Sequence, residues 1–165
     1  FPLNREMDDF SVKPGVPNAF GLVGEDANAI APGKRPLSSM TPTFLLGNDR
    51  VAVLGSPGGS RIVTMVLLGL FELMEGKGAQ ATADAPRFHH QYLPDQLLVE
   101  PNAFTAEEIA ALKARGHNVV VNDSSWGNMQ VVLWHRGTGE VEAGTDGRWK
   151  GVGKGSSTDS SAIYR

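Results

Sequence analysis

The sequence contains no cysteine among its 165 residues. Disulfide bonds, thiolate metal sites and a cysteine nucleophile are therefore excluded, while the redox compartment stays open because such a chain suits a reducing or an oxidising one. An excess of basic residues is also absent. The formal net charge of -3 and the pI near 5.8 provide no broad positive field for phosphate backbones, so we expect no nucleic-acid partner.

Long apolar runs are missing as well. The longest, residues 62–70, includes Thr64 and Gly69 and is far shorter than the roughly 20 residues that cross a bilayer. We therefore expect no membrane span in this chain and a buried helix at this run. The chain starts with Phe1 rather than Met and shows no secretory signal pattern, which we interpret as a fragment or a processed product.

The hydrophobic patterning is that of a folded domain. Apolar residues make up 41% of the chain and charged residues 20%, as in one globular domain. Short β-prone runs predict strands at residues 43–46, 51–54, 119–121, 129–134 and 140–143. Helices are predicted at residues 62–74 and 105–116. The prediction is an α+β domain over residues 1–150, an antiparallel sheet with packed helices, followed by a Gly/Ser-rich tail at residues 151–165.

A glycine-rich turn joins the second predicted strand to the first predicted helix. It contains Gly58 and Gly59, which let the backbone approach a ligand closely, and the N–H groups at a helix start can stabilise developing negative charge on an oxygen. The alternative is a plain tight turn with positive φ angles, which the pattern alone favours. A phosphate loop is excluded because the required Lys is missing.

Two further stretches carry groups that could bind a zwitterion. Ser38 and Ser39 precede a predicted strand, where adjacent hydroxyls can both donate to one carboxylate; turn or capping serines are the alternative. Glu6 and Asp9 supply carboxylates for an ammonium group, and a solvated acidic loop is the alternative. None of the three stretches decides the function alone.

The adjacent histidines His89 and His90 raise the question of a metal site. Adjacent residues on regular structure point apart, and no nearby spacing supplies further ligands. We therefore interpret them as a structural pair, and we expect no metal and no cofactor.

Taken together, the stretches match one family. NREMDDFS at residues 4–11, PGVPN at 14–18, PGKRPLSSM at 32–40 and GSPGGSR at 55–61 resemble, in order and spacing, the small, C-terminal subunit of γ-glutamyltranspeptidases. The resemblance continues more weakly through APRFHHQ at residues 85–91 and LPD at 93–95, and it fades after about Trp134.

The resemblance implies a fold and an activity. The fold is that of an N-terminal nucleophile (Ntn) hydrolase, an α/β/β/α sandwich shared with the large subunit of the same precursor. The activity is transfer of the γ-glutamyl group of glutathione and related amides to water or amino-acid acceptors, by a zymogen-derived enzyme in the periplasm or secreted from the cell.

It also implies roles for the donor-binding residues. By resemblance, Glu6 and Asp9 hold the α-amino group of the γ-glutamyl donor, and Ser38 and Ser39 hold its α-carboxylate. An ammonium group calls for carboxylates and a carboxylate for hydroxyl donors, so the chemistry agrees with that allocation.

The catalytic part is implied in the same way. The N–H groups of Gly58 and Gly59 form the oxyanion hole, and in the family the nucleophile is a Thr at the start of the small subunit, whose own α-amino group serves as the base. This chain starts with Phe1, and Thr41 and Thr43 lie inside it. We therefore expect the isolated chain to be inactive.

Two alternatives stay open. One is a relative with another substrate, such as a glutaryl-7-aminocephalosporanic acid acylase or a poly-γ-glutamate hydrolase; retention of Glu6 and Asp9 argues for the glutamyl substrate, because a glutaryl group has no α-amino function. The other is a catalytically inactive fragment or folded module.

Overall fold

The computed structural model describes residues 7–148, which divide into two compact units, one ending at Met40 and the other beginning at Thr41. The strands of the second, C-terminal unit are β1 Thr43–Leu46, β2 Arg50–Gly55, β3 Phe88–Tyr92, β4 Asp95–Val99, β5 Val119–Val121, β6 Gln130–His135 and β7 Val141–Thr145. Its helices are α1 Ile62–Met74, α2 Ala79–Asp84 and α3 Ala106–Ala114. Short 3-10 helices occur at Met7–Asp9, Asp26–Asn28 and Gly59–Arg61.

The main sheet is antiparallel, in the order β1-β2-β6-β7. Its alternating pattern buries one face, where Leu54, Val131 and Leu133 are almost fully covered and pack in one cluster with Met65 and Leu73 of α1. The short α2 approaches β7 so closely that a Cβ on Gly144 would overlap the carbonyl oxygen of Ala79. Helices therefore cover this face of the sheet.

The opposite face of the main sheet is apolar and open. Phe44 lies opposite Val53, which lies opposite Val132 on the next strand, and these three side chains are exposed. Leu46 and Trp134 are also exposed on this face, at 70% and 43% of their surfaces. A row of apolar side chains on one sheet face is the surface that a second layer covers in a layered fold.

A smaller sheet follows the order β3-β4-β5. Strands β3 and β4 are antiparallel, whereas β4 and β5 are parallel because α3 forms the crossover between them. Leu97, Val99 and Val119 form its buried core, against Ile109 and Leu112 of α3. The helix begins at a capping box: the Thr105 hydroxyl accepts from the Glu108 N–H, and the Glu108 carboxylate accepts from the Thr105 N–H.

A cluster of buried charges ties the two sheets together. The Arg87 guanidinium, 2% exposed, lies 2.7 Å from the Asp146 carboxylate. Arg148 contacts Asp146 at 3.0 Å and Glu100 at 2.6 Å. Burial by itself would raise the pKa of Asp146, but hydrogen bonds from the Met129 and Arg148 N–H groups and from both guanidinium groups outweigh it and hold the pKa below its ordinary value.

The first, N-terminal unit is built from turns. Residues 7–40 contain short 3-10 helices and two isolated bridges, Ser11 with Ala29 and Pro17 with Val23. Its described part holds no α-helix, as the density of Pro, Gly, Asn and Asp predicts. Positive φ at Gly15 marks one of the turns.

The observed elements match most of the predicted ones. Strands 43–46 and 119–121 and the helix 62–74 have the predicted bounds, and the strands predicted at 51–54, 129–134 and 140–143 are each displaced or extended by one or two residues. Helix α2 and strands β3 and β4 were not predicted. Helix α2 is only six residues long, and β3 carries two histidines instead of an apolar alternation.

The α+β prediction is confirmed, with one correction. Instead of a single antiparallel sheet there are two sheets, and the smaller one contains a parallel pair. The predicted tail at residues 151–165 lies outside the described residues, and the domain over residues 1–150 stays a prediction. Between residues 7 and 148, no helix has the length and apolar character needed to cross a membrane.

Candidate functional site

The Gly58 and Gly59 turn lies between β2 and α1. Gly58 has φ of 151° and Gly59 has φ of 59°, conformations that residues with a Cβ rarely adopt. A Cβ on Gly58 would also lie 2.5 Å from Cε of Met65 in α1. Glycine is therefore favoured at position 58 by its backbone conformation, and a larger residue would also displace the flexible end of the Met65 side chain.

The turn presents its backbone donors at the start of a helix. Gly59–Arg61 is a 3-10 turn that continues directly into the 13 residues of α1. Within residues 7–148, no backbone hydrogen bond takes up the N–H of Gly58 or of Gly59. Unsatisfied N–H groups at a helix N-terminus stabilise negative charge. The N–H groups of Gly58 and Gly59 therefore have the chemistry that an oxyanion hole requires.

A chain of side-chain hydrogen bonds fixes the residue after the turn. The Ser60 hydroxyl donates to Oε1 of Gln91 at 2.8 Å, and Nε2 of His89 lies 2.9 Å from the same oxygen. Because Oε1 is an acceptor only, Nε2 carries the proton, and Nδ1 accepts from the Thr64 hydroxyl at 2.9 Å. The chain thus ties the start of α1 to β3.

Burial favours the neutral imidazole of His89. It lowers the pKa of His89 below its ordinary value, against the opposing effect of the hydrogen bond to Gln91. His90 on the other face of β3 is exposed and pairs with Asp95 at 2.9 Å. The two histidines therefore point apart, as the interpretation of a structural pair predicts. Among residues 7–148, no group of three or more His, Asp or Glu side chains is arranged to hold a metal ion.

Asp9 lies in the N-terminal unit, at the end of the 3-10 helix Met7–Asp9. Its side chain is half-buried, and its carbonyl oxygen accepts a hydrogen bond of 2.7 Å from Nδ2 of Asn28. Oδ1 of the same Asn28 side chain accepts from the N–H of Leu37 at 3.0 Å. The structure therefore connects the acidic stretch to the residue that immediately precedes Ser38.

Ser38 and Ser39 lie near the end of the N-terminal unit. Ser38 is exposed and Ser39 is half-buried. The Ser38 hydroxyl accepts from the N–H of Met40 at 3.3 Å. A hydroxyl that accepts in this way keeps its own proton for donation, so Ser38 can donate to a carboxylate.

The predicted residues are thus placed in part. Asp9, Ser38 and Ser39 belong to the N-terminal unit, where Asn28 joins their stretches, and Gly58 and Gly59 belong to the C-terminal unit. Glu6 lies outside the described residues. Convergence of the acidic, serine and glycine stretches on one substrate stays a prediction.

Comparison with known proteins decides the family. The family model described as Gamma-glutamyltranspeptidase matches residues 1–156. This chain belongs to the γ-glutamyltranspeptidase family. The glutathione hydrolase proenzyme of Escherichia coli is 47% identical over 133 residues, which are 79% of this chain and 23% of that protein. That of Pseudomonas aeruginosa is 45% identical over 158 residues, 93% of this chain and 28% of that protein.

Solved structures of γ-glutamyltranspeptidases share the fold. A mutant of the Helicobacter pylori enzyme superposes with a TM-score of 0.80 at 44% identity, over 90% of this chain and 82% of that one. The Pseudomonas nitroreducens enzyme in complex with L-DON gives 0.76 at 42% identity, over 95% and 82%. The predicted family and the predicted Ntn-hydrolase fold are confirmed.

Two contacts close to the predicted site residues carry no signal in the sequence. Asn28 was not singled out, and neither was the Ser60 to Gln91 contact. Their partners are 9, 19 and 31 residues away, so no local pattern announces them. An Asn in a turn-rich stretch signals only a turn.

Proposed function

We propose that the complete protein carrying this chain is a γ-glutamyltransferase and glutathione hydrolase. The chain spans about a quarter of the length of the curated relatives it matches, 23% and 28% for two of them. The activity therefore belongs to a larger protein. It would move the γ-glutamyl group of glutathione and related amides to water or to an amino-acid acceptor. The observation that carries the proposal is the family match over residues 1–156.

The proposed donor-binding roles rest on the resemblance to the family, and the chemistry of the residues agrees with them. Glu6 and Asp9 would bind the α-amino group, and the hydroxyls of Ser38 and Ser39 would bind the α-carboxylate. Support comes from the link that Asn28 makes between the Asp9 carbonyl and the Leu37 N–H, since it holds the acidic and serine stretches together.

In the proposed mechanism, Gly58 and Gly59 act on the reacting carbonyl. A Thr hydroxyl from another segment of the precursor attacks the γ-carbonyl carbon and passes its proton to the α-amine of the same Thr. The two N–H groups bind the resulting oxyanion, and the intermediate collapses as the leaving amine takes up the proton. Water or an acceptor amine then attacks the ester through a second such intermediate. Losing one oxyanion donor typically costs about 2.7–4 kcal/mol of transition-state stabilisation.

The open face of the main sheet supports a partner from the same precursor. Helices cover one face, whereas Phe44, Val53 and Val132 are exposed on the other. In an α/β/β/α sandwich this face packs on a second sheet. We propose that the large subunit supplies that sheet, and that the protein is made as a zymogen that is cut into two subunits.

We also propose that the protein is periplasmic or secreted. The proposal rests on the family resemblance, and the absence of cysteine is compatible with it. Cell fractionation with a cytoplasmic marker enzyme tests it, and activity confined to the cytoplasmic fraction would contradict it.

The donor-binding roles are tested in the complete precursor with two variants, Asp9→Ala and the double replacement Ser38→Ala with Ser39→Ala. Each removes hydrogen bonds to a charged group, worth about 1.5–3 kcal/mol, so KM for γ-glutamyl p-nitroanilide should rise about 10- to 100-fold. Asp123→Ala removes an exposed carboxylate of the C-terminal unit and serves as the control. An unchanged KM in both variants would remove these residues from the pocket, and faster turnover of glutaryl than of γ-glutamyl p-nitroanilide by the native protein would favour the acylase alternative.

A further inference from the structure

Asn28 uses both ends of its amide to join two stretches of the N-terminal unit. Its Nδ2 donates to the carbonyl oxygen of Asp9 at 2.7 Å, and its Oδ1 accepts from the N–H of Leu37 at 3.0 Å. Asp9 is the proposed ligand of the substrate amine, and Ser38, the next residue after Leu37, is a proposed ligand of the substrate carboxylate. One side chain therefore spans the two halves of the proposed donor site.

The backbone of Asn28 is itself held in place. Its carbonyl oxygen accepts from the N–H of Ser11 at 3.0 Å, and its N–H donates to the carbonyl of Glu25 at 3.0 Å. It ends the 3-10 helix Asp26–Asn28, and the bridge between Ser11 and Ala29 follows directly. The amide thus extends from a fixed base, so the positions of its two partners are coupled.

We propose that Asn28 is a positioning residue that sets the spacing between the amine-binding and carboxylate-binding groups for the α-amino acid head of the donor. The proposal rests on the proposed function. A ligand with two charged groups on one carbon gains from both contacts at once only if the protein groups are already at the right separation, because ordering them on binding reduces the affinity. A ligand with only one of the two groups has no such requirement.

This difference separates a positioning role from a purely structural one. If Asn28 only stabilised the fold of the unit, its loss would weaken every ligand of the site to a similar extent. If it sets the spacing, its loss weakens L-glutamate, which has both groups, far more than glutarate, which lacks the α-amine. The ratio of the two inhibition constants is therefore the informative quantity.

The experiment compares variants of the complete, matured protein. Asn28→Ala removes both hydrogen bonds, and Asn28→Asp keeps an acceptor for the Leu37 N–H while losing the donor to the Asp9 carbonyl. Asn122→Ala is the control, because it removes a similar bond of 2.8 Å from an Asn side chain to the Ser124 carbonyl in the C-terminal unit. The readouts are Ki for L-glutamate and for glutarate as competitive inhibitors, with KM and kcat for γ-glutamyl p-nitroanilide.

For Asn28→Ala we expect Ki of L-glutamate and KM to rise about tenfold, which corresponds to about 1.4 kcal/mol. Ki of glutarate should change less than about twofold and kcat less than about threefold, with Asn28→Asp intermediate and Asn122→Ala unchanged. An equal rise for both inhibitors, or no rise for either, would overturn the positioning role. So would failure of both Asn28 variants to mature while Asn122→Ala matures, since that indicates a structural role.

The outcome is separable from that of the proposed function. If Asp9→Ala and the Ser38 and Ser39 double variant raise KM but Asn28→Ala does not, the donor site stands and the role of Asn28 is wrong. If the Asp9 and serine variants leave KM unchanged, the donor-site allocation itself is wrong.

Discussion

Replacing Glu100 by Gln would test the buried charge cluster of the C-terminal unit with almost no change in shape. The Glu100 side chain is 1% exposed. Its Oε1 accepts from the Trp126 N–H at 2.8 Å and from Nε of Arg148 at 3.0 Å. Its Oε2 accepts from the Arg87 N–H at 3.0 Å and from Nη2 of Arg148 at 2.6 Å. Both oxygens are thus used by two donors each.

The expected loss follows from this geometry. An amide nitrogen in place of either oxygen would face two N–H donors, so at least two buried donors would lose their acceptor, at about 1–3 kcal/mol each. The Arg148 guanidinium would also lose one of its two carboxylate partners. Breaking a buried ion pair by removing one partner typically costs about 3–5 kcal/mol. Because these effects overlap, we expect Glu100→Gln to lower the free energy of unfolding by about 3–5 kcal/mol.

Urea unfolding of the complete protein, followed by tryptophan fluorescence, would measure this loss. Glu140→Gln is the matched control, because it makes the same chemical change at an exposed side chain, where about 0.5 kcal/mol or less is expected. A loss below about 1 kcal/mol for Glu100→Gln, with an unchanged denaturant slope, would refute the argument that the four hydrogen bonds and the ion pair stabilise the fold.

Two further predictions concern the main sheet. Gly144→Ala should destabilise the protein by about 1–3 kcal/mol, because the added methyl group would overlap the backbone of Ala79. Gly137→Ala is the control, because nothing lies within 4 Å of its new Cβ. Equal shifts of the two melting temperatures would contradict the prediction. The pKa of Glu142 is held below its ordinary value, first by the hydrogen bond from His135 and then by the N–H of Ala79. It therefore contributes stability above the pKa of an unfolded Glu, about 4.3, which is lost as the pH falls through the folded pKa. Glu142→Gln should make the free energy of unfolding fall less steeply as the pH is lowered in the acid range. An unchanged fall would show that other carboxylates dominate the pH dependence of stability.

Elements with strong local signals were predictable from the sequence. The helix at 62–74 is an apolar run between a glycine turn and Gly76, whose φ is 89°, and α3 is announced by its capping box. Such signals are contained within a few neighbouring residues. Strand β3 was missed for the opposite reason. Its buried His89 is satisfied by a hydrogen bond to Thr64, 25 residues earlier, and no pattern within the strand indicates that partner.

The candidate site was likewise predictable only in part from the sequence. Ordered motifs in the sequence were sufficient to indicate the family and to nominate Asp9, Ser38 and Gly58, because the type and order of residues are readable without coordinates. That Asn28 couples the Asp9 and Leu37 backbones emerged only once the chain was folded. A hydrogen bond depends on distance and direction between atoms, and residues 9 and 19 positions apart acquire both only when the turns between them are in place.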